Sequence, residues 1–137
     1  MDVLPESIGN LTNLEHLKIY HGKLTSIPES IGNLKQLKTL DLYSCGHLKA
    51  LPESIGELEA LESLDIAYTS ISTLPKSIEK LKHLKKLRLN YCPFHQLPPV
   101  LEQLTQLTSL FIENLSLTEL PSYFELFEHL ELSLIHI

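Results

Sequence analysis

The sequence has few of the residues that mark linkers, low-complexity tails or membrane spans. It carries only five glycines, while 43% of its 137 residues are apolar and 20% are charged, so residues 1–137 are expected to fold as one domain without a linker. No apolar run approaches the roughly 18 residues of a transmembrane helix, and no secretion signal of charged, apolar and small residues opens the chain. We therefore expect a cytoplasmic protein that does not contact a membrane.

Motifs for catalysis and for cofactor binding are also missing. The sequence contains no G-x-S-x-G element, no phosphate-binding loop and no dinucleotide fingerprint. Its histidines show no H-E-x-x-H spacing for zinc. The sequence therefore predicts neither an enzyme nor a cofactor.

What the sequence does contain is a repeat that occupies the whole chain. The pair Leu-Pro, or once Ile-Pro, begins at Leu4, Ile27, Leu51, Leu74, Leu97 and Leu120, at steps of 23, 24, 23, 23 and 23 residues. Aligned from these anchors, the repeats follow L-P-x-x-I-x-x-L-x-x-L-x-x-L-x-L-x-x-x-x-L-x-x, with apolar residues in every lettered column. Six repeats of about 23 residues are predicted, because self-similarity at a fixed period is typical of stacked structural units.

Each repeat contains one predicted strand and one predicted helical turn. Segments such as Leu40-Asp41-Leu42 alternate apolar and polar residues, as a strand with one buried face does. The segment before each strand spaces its apolar residues by three and begins with proline, which suits a first helical turn; either a 3₁₀ turn or an α-helix fits this spacing. Stacking predicts an α/β solenoid with a parallel sheet on the concave face and short helical turns on the convex face.

The aligned pattern resembles the leucine-rich repeat family along the whole chain, in particular the short L-P-x-x-I-x-x-L type of Ras-associated scaffolds, plant immune receptors and bacterial effectors. The resemblance implies a non-catalytic module that binds a partner protein through its concave sheet. Two alternatives remain. One is the substrate-recognition fragment of a larger bacterial effector ligase or immune-receptor-like protein, and the other is a scaffold associated with a small GTPase.

One column departs from the family, which usually carries an inward asparagine there. Here the column reads Gly22, Cys45, Thr69, Cys92 and Leu115, which predicts looser bonding between loops near Leu115. Two repeats separate the cysteines, or roughly 9–10 Å at about 4.8 Å per strand, too far for a disulfide. The same distance argues against a zinc site with His47 and His95, so two free, buried thiols in a reducing compartment are expected.

Outward positions of the strands form the candidate binding surface. The predicted partner-binding residues are Lys18, Tyr20, Asp41, Tyr43, Asp65, Tyr68, Arg88, Tyr91 and Phe111. Four of the five tyrosines fall on this surface, in columns that also hold Ala67, Asn90 and Glu113. Tyrosine is enriched in interface hot spots, although it is also simply a good strand residue.

A second charge pattern links neighbouring repeats. Five acids each have a base 23 positions later: Glu53 with Lys76, Glu57 with Lys80, Glu59 with Lys82, Glu62 with Lys85 and Asp65 with Arg88. In a solenoid this offset makes them neighbours on adjacent rungs, so we expect a ladder of ion pairs. The adjoining acids would cancel the field of the basic repeat, which disfavours nucleic-acid binding.

Two further expectations concern irregular parts of the pattern. Gly46 is expected to absorb the 24th residue of the second repeat in a loop bulge, which keeps Leu48 in the core. At the ends, Leu4 and Ile8 are expected to line an open core, and the apolar stretch 130–137 stops as an uncovered strand. An uncovered edge predicts either a fragment of a longer array, which we favour, or self-association through a terminus.

Overall fold

The computed structural model describes residues 2–113, 117, 122 and 131–133, and within them short helices alternate with short strands. The order along the chain is η1 (Glu6–Asn10), β1 (His16–Lys18), η2 (Glu29–Asn33), β2 (Thr39–Asp41), η3 (Glu53–Glu57), β3 (Ser63–Asp65), η4 (Lys76–Lys80), β4 (Lys86–Arg88), η5 (Pro99–Gln103), β5 (Ser109–Phe111) and β6 (Glu131–Ser133). Each of the five described helices thus precedes the strand of its own repeat by a short loop.

All five described helices are 3₁₀ helices, which decides between the two forms left open by the sequence. Each follows a proline whose φ lies between −59° and −71°, because proline presets a helical φ and gives up an N–H that would have no partner there. Each helical turn ends at a leucine whose N–H donates a hydrogen bond to a carbonyl three residues earlier. In η2, for example, Leu34 donates to the carbonyl of Ile31 at 3.1 Å. An apolar spacing of three matches three residues per turn, so one side of each turn faces the core.

The strands form one open parallel sheet in the order β1-β2-β3-β4-β5-β6. Equivalent leucines pair across it, Leu17 with Leu40, Leu40 with Leu64, and Leu64 with Leu87. The predicted solenoid, with its parallel concave sheet and short helical turns, is confirmed. The count of six repeats stays a prediction, because Leu120 and Phe124 lie outside the described residues.

The core lies between the sheet and the helical turns and consists of the inward columns of the repeat. Leu34, Leu58 and Leu40, like most of these residues, are completely buried. The first rung is more open: Ile8 is half-buried and Leu11 is 52% exposed.

Leu4 does not share this exposure. It is only 5% exposed, so the expectation that it lines an open core is wrong. Val3 forms a parallel bridge with Ser26, which holds this segment against the second rung. The apolar stretch expected at the other end extends over 130–137, of which only 131–133 are described.

The extra residue of the second repeat lies where it was predicted. Leu40 pairs with Leu64, 24 residues later, while Leu17 pairs with Leu40, 23 residues later. Leu48 is nevertheless fully buried, as expected. Gly46 is exposed, and a side chain added there would meet no atom within 4 Å. Its carbonyl accepts a hydrogen bond from the Ser70 hydroxyl at 2.6 Å, so the bulge contacts the next rung.

Thiols and a hydroxyl link the loops in the column where the family usually has asparagine. The Cys45 thiol donates to the Ile19 carbonyl at 3.4 Å, and the Cys92 thiol to the Ile66 carbonyl at 3.0 Å. Thr69 lies between them and donates to Ile66 at 2.8 Å. The two thiol bonds cross to the preceding rung as amide bonds would, and the Thr69 hydroxyl, whose own bond stays within its rung, also lies 3.5 Å from the Cys92 sulfur. Leu115, where looser bonding was expected, lies outside the described residues.

Both cysteines are free and buried, as predicted. No group of three or more potential metal ligands occurs in the described part of the chain. Burial raises the pKa of the Cys92 thiol, despite the opposing hydrogen bonds from Thr69, and burial also raises the pKa of Cys45.

We therefore expect neither thiol to react at neutral pH with an aromatic disulfide reagent while the chain is folded. The thiolate is the reactive species, and both its formation and its access are disfavoured by burial. The measurement is the absorbance of released thiol, with the denatured chain as the control that should yield two equivalents. A fast reaction of Cys45 or Cys92 in the folded chain would contradict this expectation.

Candidate functional site

The outward side chains of five neighbouring strands form a row of four charged residues followed by one aromatic residue, which we call the charged row. Strand pairing places Lys18, Asp41, Asp65, Arg88 and Phe111 directly beside one another, one on each of five strands. This is the predicted column in the predicted order. Alternation with period two produces it, since the neighbours of each residue in its strand point into the core.

The two carboxylates in this charged row also shape the ends of their strands. Asp41 accepts a hydrogen bond from the N–H of Tyr43 at 3.1 Å, and Asp65 accepts one from Ala67 at 2.9 Å. Aspartate favours such turns two residues ahead of it. The second oxygen of Asp65 accepts a bond from Arg88 at 3.3 Å.

The electrostatic environment differs between these two acids. Burial raises the pKa of Asp65, and the neighbouring charge of Asp41 raises it further, whereas the Ala67 N–H and Arg88 lower it. Asp41 has no cation within 4 Å among the described residues. A hydrogen bond to Asp41 is the main reason why the pKa of the Tyr20 hydroxyl is raised.

Four tyrosines form a continuous band beside the charged row, which we call the tyrosine row. The ring centroids of Tyr20 and Tyr43 are 6.5 Å apart, those of Tyr43 and Tyr68 are 5.2 Å apart, and those of Tyr68 and Tyr91 are 4.3 Å apart. The first two contacts are edge-to-face and the third is stacked. The expectation that four tyrosines share one surface is confirmed, and Tyr20, Tyr68 and Tyr91 are 52%, 41% and 44% exposed.

Tyr68 and Tyr91 occupy the repeat position one residue after that of Tyr20 and Tyr43, and the backbone has a left-handed conformation there. Tyr68 and Tyr91 have φ angles of 58° and 59°, as do the equivalent His21 and Ser44 at 51° and 63°. A left-handed conformation costs about 1–2 kcal/mol in a residue other than glycine. It is maintained because the N–H of each residue donates to the next rung, at 2.9 Å from Tyr68 to Asn90.

Two features of this surface differ from the sequence prediction. Ala67, at the position of Tyr20 and Tyr43 in its repeat, was expected to face outward but is completely buried, although it is no part of the core cluster. Lys86 was not predicted, yet its Nζ lies 5.5 Å from the ring centroid of Phe111. The period of two could have found it, since it places Lys86 on the same face as Arg88.

The predicted ladder of ion pairs is only partly formed. Glu57 pairs with Lys80 at 3.5 Å and Asp65 with Arg88 at 3.3 Å, as expected. Glu59 instead contacts Lys35 of the preceding rung at 3.4 Å.

Three of the five predicted pairs have no contact within 4 Å between their charged groups in the residues that the structure describes, namely Glu53–Lys76, Glu59–Lys82 and Glu62–Lys85. Glu62 and Lys85 are nevertheless adjacent, because the Lys85 N–H donates to the Glu62 carbonyl at 2.8 Å. The pairs that do form away from Asp65 are exposed, so each contributes only about 0–1 kcal/mol.

The sequence matches two family descriptions. Residues 2–68 match the one called Leucine-rich repeat region, and residues 83–104 match the one called Leucine Rich Repeat. The chain belongs to the leucine-rich repeat family, whose domains are typically non-catalytic interaction modules. No curated protein matches the chain, and no described helix is long and apolar enough to cross a bilayer.

Solved leucine-rich repeat structures resemble the chain over nearly its whole length. The leucine-rich repeat domain of the type III effector XopL is 30% identical, with a TM-score of 0.86 over 98% of this chain and 48% of that one. A leucine-rich repeat protein of Leptospira interrogans is 28% identical, with a TM-score of 0.64 over 96% and 40%. The ectodomain of the Arabidopsis receptor kinase HAESA, solved with an IDA peptide hormone ligand, is 27% identical, with a TM-score of 0.75 over 96% and 24%. The chain thus spans less than half of each structure.

Proposed function

We propose that this chain binds a partner protein through the concave face of its sheet and performs no catalysis itself. The tyrosine row carries the proposal. Tyr20, Tyr68 and Tyr91 expose large aromatic surface in one continuous band, and a bound partner would bury it further. Tyrosine provides a large, rigid contact area at low entropic cost, which is why it dominates many interfaces.

The charged row beside the tyrosines provides the specificity. Lys18 and Arg88 carry positive charge, and Asp41 and Asp65 carry negative charge between them. Such an order favours partners with the complementary order of charges and repels others. Phe111 extends the aromatic surface at the far end, under the cations of Lys86 and Arg88.

The comparisons support this proposal and favour one alternative. The HAESA ectodomain was solved with a peptide hormone ligand, and XopL is a type III effector whose repeat domain is similar to this chain. The alternative is therefore that the chain recognises the substrate of a larger effector, and a longer reading frame that encodes a catalytic domain would support it. A cytoplasmic location fits both versions, because free buried cysteines suit a reducing compartment.

Removing two central rings should strongly weaken partner binding. In the double variant Tyr43→Ala/Tyr68→Ala, capture of the partner from the source cell, quantified by mass spectrometry, is expected to fall at least about tenfold, since a hot-spot residue contributes about 2 kcal/mol or more. The matched control is Glu53→Ala/Lys76→Ala, which changes two exposed residues at the helical turns. Equal capture by the tyrosine variant and the wild type, with both folded by circular dichroism, would refute the proposal.

A further inference from the structure

We infer that the partner segment that covers the tyrosine row carries an arginine whose guanidinium lies against Tyr20 and Tyr43 and pairs with Asp41. This inference depends on the proposed function and specifies the chemistry of the partner. It follows from a contact among a cation, a carboxylate and an aromatic ring. All three groups are present at one end of the charged row, whereas at the other end the described residues provide the carboxylate and the rings without a paired cation.

The complete arrangement is at strands β3 to β5. The Arg88 guanidinium donates to Asp65 at 3.3 Å, and its Cζ lies 4.7 Å from the ring centroid of Phe111. A cation, a carboxylate and an aromatic ring are thus all in contact. Arginine suits this position because its planar group can stack on a ring while its N–H groups bond a carboxylate.

The incomplete arrangement is at strands β1 and β2. The Asp41 carboxylate accepts a hydrogen bond from the N–H of Tyr43 at 3.1 Å, and the Tyr43 ring is 6.5 Å from the Tyr20 ring. A carboxylate and aromatic rings are therefore within reach of one another, as at β3 to β5. The cation is the missing part: Lys18 is paired with Asp41 in the sheet register, but no described cation lies within 4 Å of its carboxylate.

The charges of the neighbouring strands favour a cation at this place. Asp41 and Asp65 lie directly beside each other in adjacent strands, an arrangement that is destabilising for like charges. Arg88 compensates only Asp65. The chain as a whole has a net charge of −6, so a positively charged partner segment is also attracted at longer range.

The direct test compares two short peptides that differ only in charge. The first is acetyl-Gly-Ser-Arg-Ser-Gly-amide, and the second contains citrulline, a neutral isostere, in place of arginine. Each is titrated into the isotope-labelled chain while amide NMR spectra follow Tyr43 and Tyr68. The arginine peptide is expected to give saturable shifts with an affinity about tenfold higher than that of the citrulline peptide.

The variant Asp41→Asn should lose this preference, because asparagine keeps the acceptor for the Tyr43 N–H and removes the charge. Glu53→Gln is the matched control, since it removes one negative charge from an exposed turn residue. Equal affinities for the two peptides, no saturable shift at all, or an equal loss in Asp41→Asn and Glu53→Gln would each overturn the inference.

The same variant separates this inference from the proposed function. Asp41→Asn is added to the partner capture that uses the tyrosine double variant. Loss of capture in both variants supports the inference, whereas loss only in Tyr43→Ala/Tyr68→Ala overturns it and leaves the proposed function standing. Full capture in both variants refutes the inference and the proposed function together.

Discussion

Replacing Leu58 with alanine is expected to lower the free energy of unfolding by about 2–5 kcal/mol. Leu58 is completely buried, in a column with the equally buried Leu34 and with Leu81. Truncation removes apolar contacts with both adjoining rungs and leaves a cavity that two rigid neighbours cannot fill. Urea denaturation followed by far-ultraviolet circular dichroism measures the loss, and tyrosine emission provides a second probe because the chain has no tryptophan.

The matched control for this prediction is the same substitution at the same position of the first repeat. Leu11 is 52% exposed, since no described rung packs on its outer side. Leu11→Ala should therefore change the free energy of unfolding by less than about 1 kcal/mol, as an exposed substitution does. Similar losses at Leu11 and Leu58 would show that burial between rungs does not set the stability of this column.

Replacing Gly56 with alanine is expected to destabilise the chain by about 1–3 kcal/mol, the usual cost of overpacking. An added Cβ would lie 2.5 Å from the backbone oxygen of Ser77 and 2.7 Å from its Cβ. The backbone of the next rung cannot move aside without disturbing its own helical turn, η4. Alanine is better than glycine in a helix by about 1 kcal/mol, but this gain is smaller than the expected clash.

Gly46→Ala is the control for the backbone contact. A Cβ at Gly46 would meet no atom within 4 Å, and its φ is not positive, so the change should stay within about 0.5 kcal/mol. Urea midpoints of the two variants and the wild type test the prediction. A stability of Gly56→Ala equal to that of Gly46→Ala would mean that adjacent turns can separate at no cost.

The close approach at Gly56 was not anticipated from the sequence. Gly9 and Gly32 hold the same place in their repeats, and each lies against a serine of the next rung. At the next equivalent position the chain has Glu79, and there the following rung presents Val100 instead of a serine. The pairing of glycine with a serine one rung later is visible only when the distance between turns is known.

The columns of the candidate site were predictable because they depend on two simple periods. Alternation within a strand determined that Asp41 and Asp65 face outward, and the repeat of about 23 residues determined that they lie side by side. The burial of Ala67 was not predictable in this way, since it depends on the size of the side chains around it. Nor were the ring distances among the tyrosines, which depend on the left-handed φ angles at Tyr68 and Tyr91.

The sequence by itself determined the parallel sheet, its register and the inward and outward faces, because a periodic pattern of apolar residues can be buried only by stacking equivalent positions. Only the tertiary structure decided which charges pair. Glu59 contacts Lys35 instead of Lys82, while Asp65 does meet Arg88. A long charged side chain can reach the rung before it or the rung after it, and the two ion pairs differ little in free energy when both are exposed. The partner therefore depends on the distances between individual charged groups, which the period of the repeat does not specify.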